Sequence, residues 1–395
     1  MAAQKQQRLR RVAVLIESSR AFRRDLLMGV ARYHAEHGNW SIYFEPRGLE
    51  SALPRWLGDW QGDGILICLT DSRQVAALQA TGLSVIDLRG MLSDVPFPTM
   101  RTDNRQAAQL AFAHLRERGL SHFAYCGPPL RQPYYYHHSR RSEEFHHVAV
   151  EAGFSCSVYY FQKKEEEWEQ EQEQLAAWLR EQPKPLGIFA CYDERGYQVL
   201  DACRRIGLAV PEEAAILGSG NDTVLCNLTI PPMSSIRFDM ERAGYLAASW
   251  LDRLMDGESA PSQPIWFPPQ EVVARRSTNL YAFDDAALNR VLAFIGEHAC
   301  EGIRVSDLLS VAQLSMNELE RRFQRHLGRT PKAELLRVQM EQAKRLLCDT
   351  NLSLKNIARR AGFSNENYFS NAFHRECGVR PTAYRRRLSV VGSSE

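Results

Sequence analysis

The sequence predicts an α/β domain with parallel sheets followed by an all-α domain. Three observations predict it: short apolar runs recur up to about residue 218, helix-period stretches separate most of them, and no strand-like run follows residue 284. Strands buried on both faces read as short unbroken apolar runs, and their alternation with helices is the pattern of parallel sheets.

VAVLI (12–16) opens the series, and a helix-period stretch (24–37) follows it. SIYFE (41–45), GILICL (64–69), LSVIDL (83–88), HFAYC (122–126), SVYYF (157–161), GIFAC (187–191) and AAILG (214–218) are the further strands. Helices are expected at 105–118, 166–181 and 196–206. The charged run 163–174 reads as a solvated helix start with Trp168 and Leu175 inward, and YYYHH (134–138) as a loop with aromatic cover. The proline-rich stretch 258–269 reads as a connection, because proline serves the interior of neither helix nor sheet. EVVARRST (271–278) is the last strand expected.

Beyond it the helices come in a repeated order. An amphipathic segment (285–300) leads to a short helix (306–313) capped by Ser306, a turn at 314–315, and a basic helix (317–326) with Leu319 and Phe323 facing inward at i, i+4. A joining helix (332–347) follows. The order then recurs: Ser353 caps 354–360, 361–363 makes the turn, and 365–376 carries Phe369 and Phe373 at the same spacing. Short helix, tight turn, longer basic helix is helix-turn-helix grammar. A joining helix of about 16 residues spans ~24 Å, enough to set two such helices into successive major grooves.

A chain of 395 residues with 44% hydrophobic and 24% charged residues holds two or three domains with real cores. No apolar run approaches the ~20 residues of a membrane helix, and the apolar stretch after the basic N-terminus is short for a signal peptide, so a cytoplasmic location is expected. Nine cysteines without a CxxC spacing read as reduced thiols. The net charge of +2 hides an asymmetry: residues 320–395 carry 16 basic and 7 acidic groups, the rest 33 basic and 40 acidic. That points to an anionic polymer at one end of the chain. No phosphate loop, HExxH or GxSxG is present, so neither enzyme nor cofactor is expected. Adjacent histidines such as 137/138 cannot converge on one ion from a helix, so no metal is expected.

The segment IARRAGFSNENYFSNAFHRECGVRPTAYRR (357–386) resembles the signature of AraC-type transcription regulators. By that resemblance Met316, Asn317, Glu318 and Arg321 face base edges in one groove, and Ser364, Asn365, Asn367 and Asn371 in the next. Asn pairs with adenine and Arg with guanine. Arg322, Arg325, Arg375 and 385–387 are then phosphate contacts, which position without specifying. Met316 and Asn371 stand where relatives usually carry Arg, so an operator sequence does not carry over.

In the first half, RTDNRQAAQLAFAHLRERGLSHFAYCG (101–127), CYDERG, GSGND (218–222) and PPMSSIRFDMERAGYLAA (231–248) resemble LacI/GalR-type effector domains, which share the two-lobed fold of periplasmic binding proteins. The resemblance implies an effector domain at 11–279, a linker at 280–284 and a DNA-binding domain at 285–388. It also implies a sugar, xylose or a related one, held between the lobes by Asp193, Arg141, Arg195 and Asn221, with Glu17, Ser18, Phe22, Glu45 and His137 lining the site. Asp103 reads as a helix cap, and Gly220 stands where the family usually has a ligand-binding carboxylate. The expected protein is a homodimeric, sugar-controlled regulator, an activator, that binds double-stranded DNA and meets RNA polymerase. Two other readings stay open: an effector domain that only dimerises, and an exported sugar-binding protein.

Overall fold

The structure is a computed structural model that describes residues 9–46, 52–92, 95–127, 136–161, 168–261, 263–279, 281, 283 and 285–389. The first lobe is built on a four-stranded parallel sheet in the order β2-β1-β3-β4 (β1 Arg10–Leu15, β2 Trp40–Phe44, β3 Gly64–Ile67, β4 Ser84–Asp87). Helices α1 (Ala21–His37) and α2 (Ser72–Ala80) connect those strands. Val12, Ala13, Ile65, Leu66 and Ile86 are wholly buried, as strands covered on both faces must be.

The second lobe is a six-stranded sheet in the order β12-β10-β9-β8-β6-β7. Its strands are β6 (His122–Gly127), β7 (Cys156–Tyr160), β8 (Leu186–Ala190), β9 (Ala214–Ser219), β10 (Ser234–Phe238) and β12 (Pro269–Val273), and only β12 runs antiparallel. Helices α3 (Asn104–Arg116), α4 (Tyr136–Glu151), α5 (Trp168–Glu181), α6 (Asp193–Arg205) and α7 (Thr223–Leu228) alternate with them.

The chain passes between the lobes three times. It enters the second lobe after β5 (Met100–Thr102), returns at Phe238–Met240 into α8 (Met240–Met255), and crosses again between β11 (Ile265–Phe267) and β12. Strands β5 and β11 pair with each other, and the Asp103 N–H donates to Phe267 O at 2.8 Å. Helix α8 therefore belongs to the first lobe, where it crosses α1 at two glycines. A Cβ on Gly29 would lie 1.9 Å from Glu241 O, and one on Gly244 1.9 Å from Leu26 O. Only bare backbones fit that crossing.

The helical part follows a 3-10 turn at Arg276–Thr278. Helices α9 (Ala286–His298), α10 (Val305–Ala312) and α11 (Met316–Leu327) enclose Leu288, Leu292, Ile295, Leu308, Leu319 and Phe323. Helices α13 (Leu354–Arg360), α14 (Glu366–Cys377) and α15 (Pro381–Ser389) enclose Ile357, Phe363, Phe369 and Phe373. The joining helix α12 (Pro331–Asp349) gives Leu335 to the first core and Met340 and Leu347 to the second. The two units touch at a buried Gln339, whose Nε2 donates to Ala299 O at 2.9 Å and Gly362 O at 3.2 Å. Gly362 sits at φ +81 with a Cβ position 2.5 Å from Ala299 O, so glycine is needed there for both conformation and space.

Several expectations need correction. The proline-rich connection contains β11, and 271–278 is a strand only to Val273 before the 3-10 turn. Trp168 is 41% exposed rather than inward, while Leu175 is buried. Ser306 is not a cap: α10 starts at Val305, and the Arg304 N–H is satisfied by Asp307 Oδ2 at 2.7 Å. Residues 136–138 open α4 rather than a loop; 134–135 and the acidic run 163–167 lie outside the described residues. Ser353 and Asp103 do cap their helices, and Ser315, expected only in a turn, caps α11.

Candidate functional site

In both lobes the carboxyl ends of the central strands face the cleft, which is where open α/β sheets bind ligands. A cavity of about 120 Å³ lies there, walled by Phe22 and Arg89 from the first lobe and Arg141, Asp193, Ser219 and Gly220 from the second. Its size suits one small ring rather than a chain of them.

Asp193 is the first residue of α6, directly beyond β8, and is 2% exposed. Its carboxylate does not cap the helix, whose N-cap is Tyr192. It accepts instead from Ser235 Oγ at 2.5 Å and the Asp222 N–H at 2.7 Å. Burial pushes its pKa up to about 6, against the pull of those two donors. Each oxygen keeps a second lone pair for a ligand hydroxyl. Gly218 and Gly220 make room for it: Cβ atoms there would lie 2.3 Å and 3.3 Å from its oxygens.

Arg141 comes from the second turn of α4 and is 5% exposed. It is not a surface ion pair; Arg140 makes the contact with Glu143 instead. Its Nε donates to Asn104 Oδ1 at 3.0 Å, and Nη1 donates to Cys191 O at 2.9 Å and Ser219 Oγ at 2.7 Å. All three acceptors are neutral. Burial pulls the guanidinium below its ordinary pKa, and the hydrogen bonds that anchor it use Nε and Nη1. A fork fixed on one side and open on the other is suited to bridging neighbouring oxygens.

The first lobe answers with acids and cations. Glu17, expected to line the site, is 5% exposed but does not reach the cavity wall; one oxygen caps the turn at Ser19 and Arg20, and Oε2 has no partner among the described residues. Asp87, wholly buried and with its pKa raised by burial, accepts from the backbone of Leu69, Arg89 and Gly90 at 2.9–3.1 Å and so fixes the loop that carries Arg89. Across the mouth Arg20 Nε lies 3.0 Å from Glu194 Oε1, and its guanidinium lies 4.8 Å from the Tyr192 ring centroid. Phe22 meets Phe238 edge-on at 6.1 Å.

The structure does not bring every expected residue to the cavity wall. Arg195 turns into the second lobe, where it pairs with Glu171 at 2.6 Å and lies 4.2 Å from the Phe161 ring centroid. Asn221 accepts from Arg275 Nη2 at 2.9 Å, on the far side of Gly220. Glu45 accepts from Trp56 Nε1 at 2.7 Å, and Ser18 gives its carbonyl to Arg24. His137 lies in the first turn of α4, and its side chain is outside the described residues. Sequence reasoning missed Arg20, Arg89 and Glu194. Arg89 follows LSVIDL directly, so the rule of strand carboxyl ends already pointed to it.

In the helical part, α11 and α14 each bury one face and expose the other. Met316, Asn317, Arg321 and Arg325 are exposed opposite Leu319 and Phe323; Ser364, Asn365, Asn367, Asn371 and Arg375 are exposed opposite Phe369 and Phe373. Three side chains have internal duties. Asn365 caps α14, its Oδ1 accepting from the Tyr368 N–H at 2.8 Å, while its Nδ2 donates to Ser364 Oγ at 3.4 Å. Glu318 is held down to about 2 by Arg321 and Arg322, which it grips at 2.8 Å. Arg322 also reaches Asp285 Oδ1 at 2.8 Å, tying α11 to the start of α9.

Comparison with known proteins agrees with the two-part fold. Residues 112–278 match a periplasmic binding protein-like domain, and 308–387 match a helix-turn-helix domain. The chain is 30% identical over 386 residues to the xylose operon regulatory protein of Escherichia coli (strain K12), covering 96% of this chain and 98% of the relative. The chain belongs to that family. It is a DNA-binding transcription regulator of the AraC type with a periplasmic-binding-protein-like effector domain. The corresponding protein of Haemophilus influenzae is 28% identical, with 95% and 98% covered. A solved structure of the xylose-binding transcription activator xylR matches with a TM-score of 0.65 at 29% identity, over 97% of this chain and 99% of that one. A LacI family regulator from Enterococcus faecalis with bound ribose matches the fold alone, at 18% identity and a TM-score of 0.55 over 68% of this chain and 98% of its own.

Proposed function

We propose that the protein is a homodimeric, cytoplasmic activator whose effector is a single small sugar, xylose or a related pentose, enclosed between the lobes. The observation that carries this reading is the buried pair Asp193 and Arg141, 2% and 5% exposed, at the wall of a cavity of about 120 Å³. Both are anchored by neutral or backbone groups that leave hydrogen-bonding capacity toward the cavity. Asp193 accepts from ligand hydroxyls, Arg141 and Arg89 donate to ring and hydroxyl oxygens, and Phe22 covers an apolar ring face. Arg20 and Glu194 close the mouth. The linker lies at 280–284, between the 3-10 turn at Arg276–Thr278 and the α9 cap Asp285. On DNA, Met316, Asn317, Arg321, Asn367 and Asn371 meet bases, and Arg325 and Arg375 meet phosphates. Ligand acts by favouring the closed lobes over the open ones, and it shifts the equilibrium only by its difference in affinity for the two.

The test is thermal unfolding of the full chain against pentoses, hexoses, uronic acids and sugar phosphates. A ligand at 100 times its Kd adds about 2.7 kcal/mol to the domain it binds. A shift with one pentose, lost in Arg141→Ala, supports the reading; a shift only with acidic or phosphorylated sugars replaces the effector class. No shift with any sugar, alongside intact DNA binding, favours an effector domain that only dimerises.

A further inference from the structure

One continuous set of contacts runs from the cleft through a hinge crossover to the second recognition helix. Phe238 ends β10 and starts the crossover into α8. Its ring meets Phe22 of the first lobe at 6.1 Å, and the Arg141 guanidinium of the second lobe lies 5.5 Å from its centroid. Both lobes therefore touch this ring beside the ligand cavity. The preceding residue, Arg237, faces the other way. Its Nη2 lies 2.5 Å from Oε1 of Glu271, its register partner on β12, and the strand pairing shifts register between Arg237 and Phe238. Such an irregularity lets two adjacent residues respond to different surroundings.

Glu271 lies just past the third crossover and is held from the DNA-binding half. Lys344 Nζ of α12 lies 3.4 Å from its Oε2, and Tyr384 Oη of α15 lies 3.3 Å from its Oε1. Arg237 Nη2 also donates to Tyr384 Oη at 3.3 Å. The Tyr384 ring packs edge-on against Phe373, centroids 5.2 Å apart, on the buried face of α14. A second attachment sits at the linker. Arg118 Nε donates to Thr278 O at 2.6 Å, and Tyr281 Oη donates to the buried Glu334 at 3.1 Å. The DNA-binding half is thus fixed at the linker and clasped at the hinge.

We propose that Glu271 is a positioning residue that couples lobe closure to the aim of α14: closure moves the two hinge crossovers, and the Arg237–Glu271–Tyr384 clasp turns the second recognition unit about the linker attachment. The clasp is built to be biased. Glu271 is 27% and Lys344 33% exposed, so its ion pairs are screened and reversible rather than locked. The proposal rests on ligand-driven closure of the lobes, and the test separates the two.

The full chain is measured by fluorescence anisotropy on a duplex that the wild-type protein selects from a random pool, with and without saturating D-xylose; D-xylose binding is measured separately by calorimetry. Glu271→Gln and Tyr384→Phe are expected to leave D-xylose affinity within about threefold. Both are expected to shrink the ratio of DNA affinities with and without D-xylose by at least about fivefold, the lower end of ordinary allosteric coupling. The double variant is expected to lose no more than either single one, because one clasp is broken once. Arg237→Lys, which keeps the charge, retains most of the response. A wild-type ratio in Glu271→Gln overturns the proposal, as does a parallel loss of sugar and DNA binding. If D-xylose binds nowhere, the clasp is judged without ligand: Glu271→Gln and Tyr384→Phe still change DNA affinity in the same direction and non-additively, and no change overturns it.

Discussion

Asp193 offers a prediction in which function works against stability. Its carboxyl is buried, and its pKa is raised from 3.8 to about 6 because desolvation outweighs the donors Ser235 and Asp222. The folded state therefore holds this proton more tightly than the unfolded state does. Stability falls as pH rises from about 4 to 6, and above 6 the full penalty is present. At 1.36 kcal/mol per pKa unit the penalty is about 3 kcal/mol. Asp193→Asn keeps an oxygen for the Asp222 N–H and an amide for the Ser235 hydroxyl while removing the charge. The ligand-free variant is expected to be more stable than the wild type by about 2–3 kcal/mol at pH 7. For a lobed domain of this size that is roughly 5–10 °C in Tm. The gain is expected to vanish by about pH 4, where the native wild-type carboxyl is already neutral. Losing a charge-assisted acceptor costs about 1.5–3 kcal/mol, so sugar affinity falls ten- to a hundredfold in the same variant. Urea unfolding of both proteins from pH 4 to 8 reads the first effect and calorimetry the second. A variant no more stable at pH 7, or a gain that does not change with pH, would refute the reasoning.

Gly29→Ala or Gly244→Ala puts a Cβ 1.9 Å from a facing carbonyl oxygen, so either is expected to cost more than about 3 kcal/mol or to leave the first lobe unfolded, as read by urea titration. Asp252 accepts from Arg10, Tyr33, Asn39 and Trp40, which hold its pKa below the ordinary value despite burial. The stability it contributes is present at neutral pH and lost as pH falls through that depressed pKa, and Asp252→Asn should remove this acid sensitivity from the melting curve. Asn371→Ala should weaken binding to the selected duplex by about 1–3 kcal/mol and relax preference at one base pair, while Arg375→Ala should weaken all sequences alike and lower the salt slope by about one. Arg20→Ala removes a half-exposed cross-cleft pair (32% and 42% exposed with Glu194), so sugar affinity should fall by less than about tenfold, with a larger radius of gyration in solution scattering.

The residues that sequence reasoning placed well are those whose local chemistry dictates their structure. Ser353 caps because a hydroxyl at that backbone position reaches the third N–H, and Leu319, Phe323, Phe369 and Phe373 are buried because i, i+4 spacing puts them on one face. Strands such as GIFAC were legible because a sheet covered on both faces needs unbroken apolar runs. The two short crossing strands were not. β5 and β11 have three residues each and pair only because the two lobes hold them side by side.

The sequence by itself determined that strands and helices alternate, that two helix-turn-helix units follow, and that Asp193 stands just past an apolar strand. Only the tertiary structure decided which polar residues face the cavity. Arg141 and Arg195 are both helix arginines and both buried, yet Arg195 is neutralised by Glu171 from α5, while Arg141 meets only neutral acceptors and lines the cavity. The difference lies in a partner 24 residues away in sequence and 2.6 Å away in space. Spacing and propensity act over a few residues; whether a buried charge is satisfied depends on what the fold packs against it.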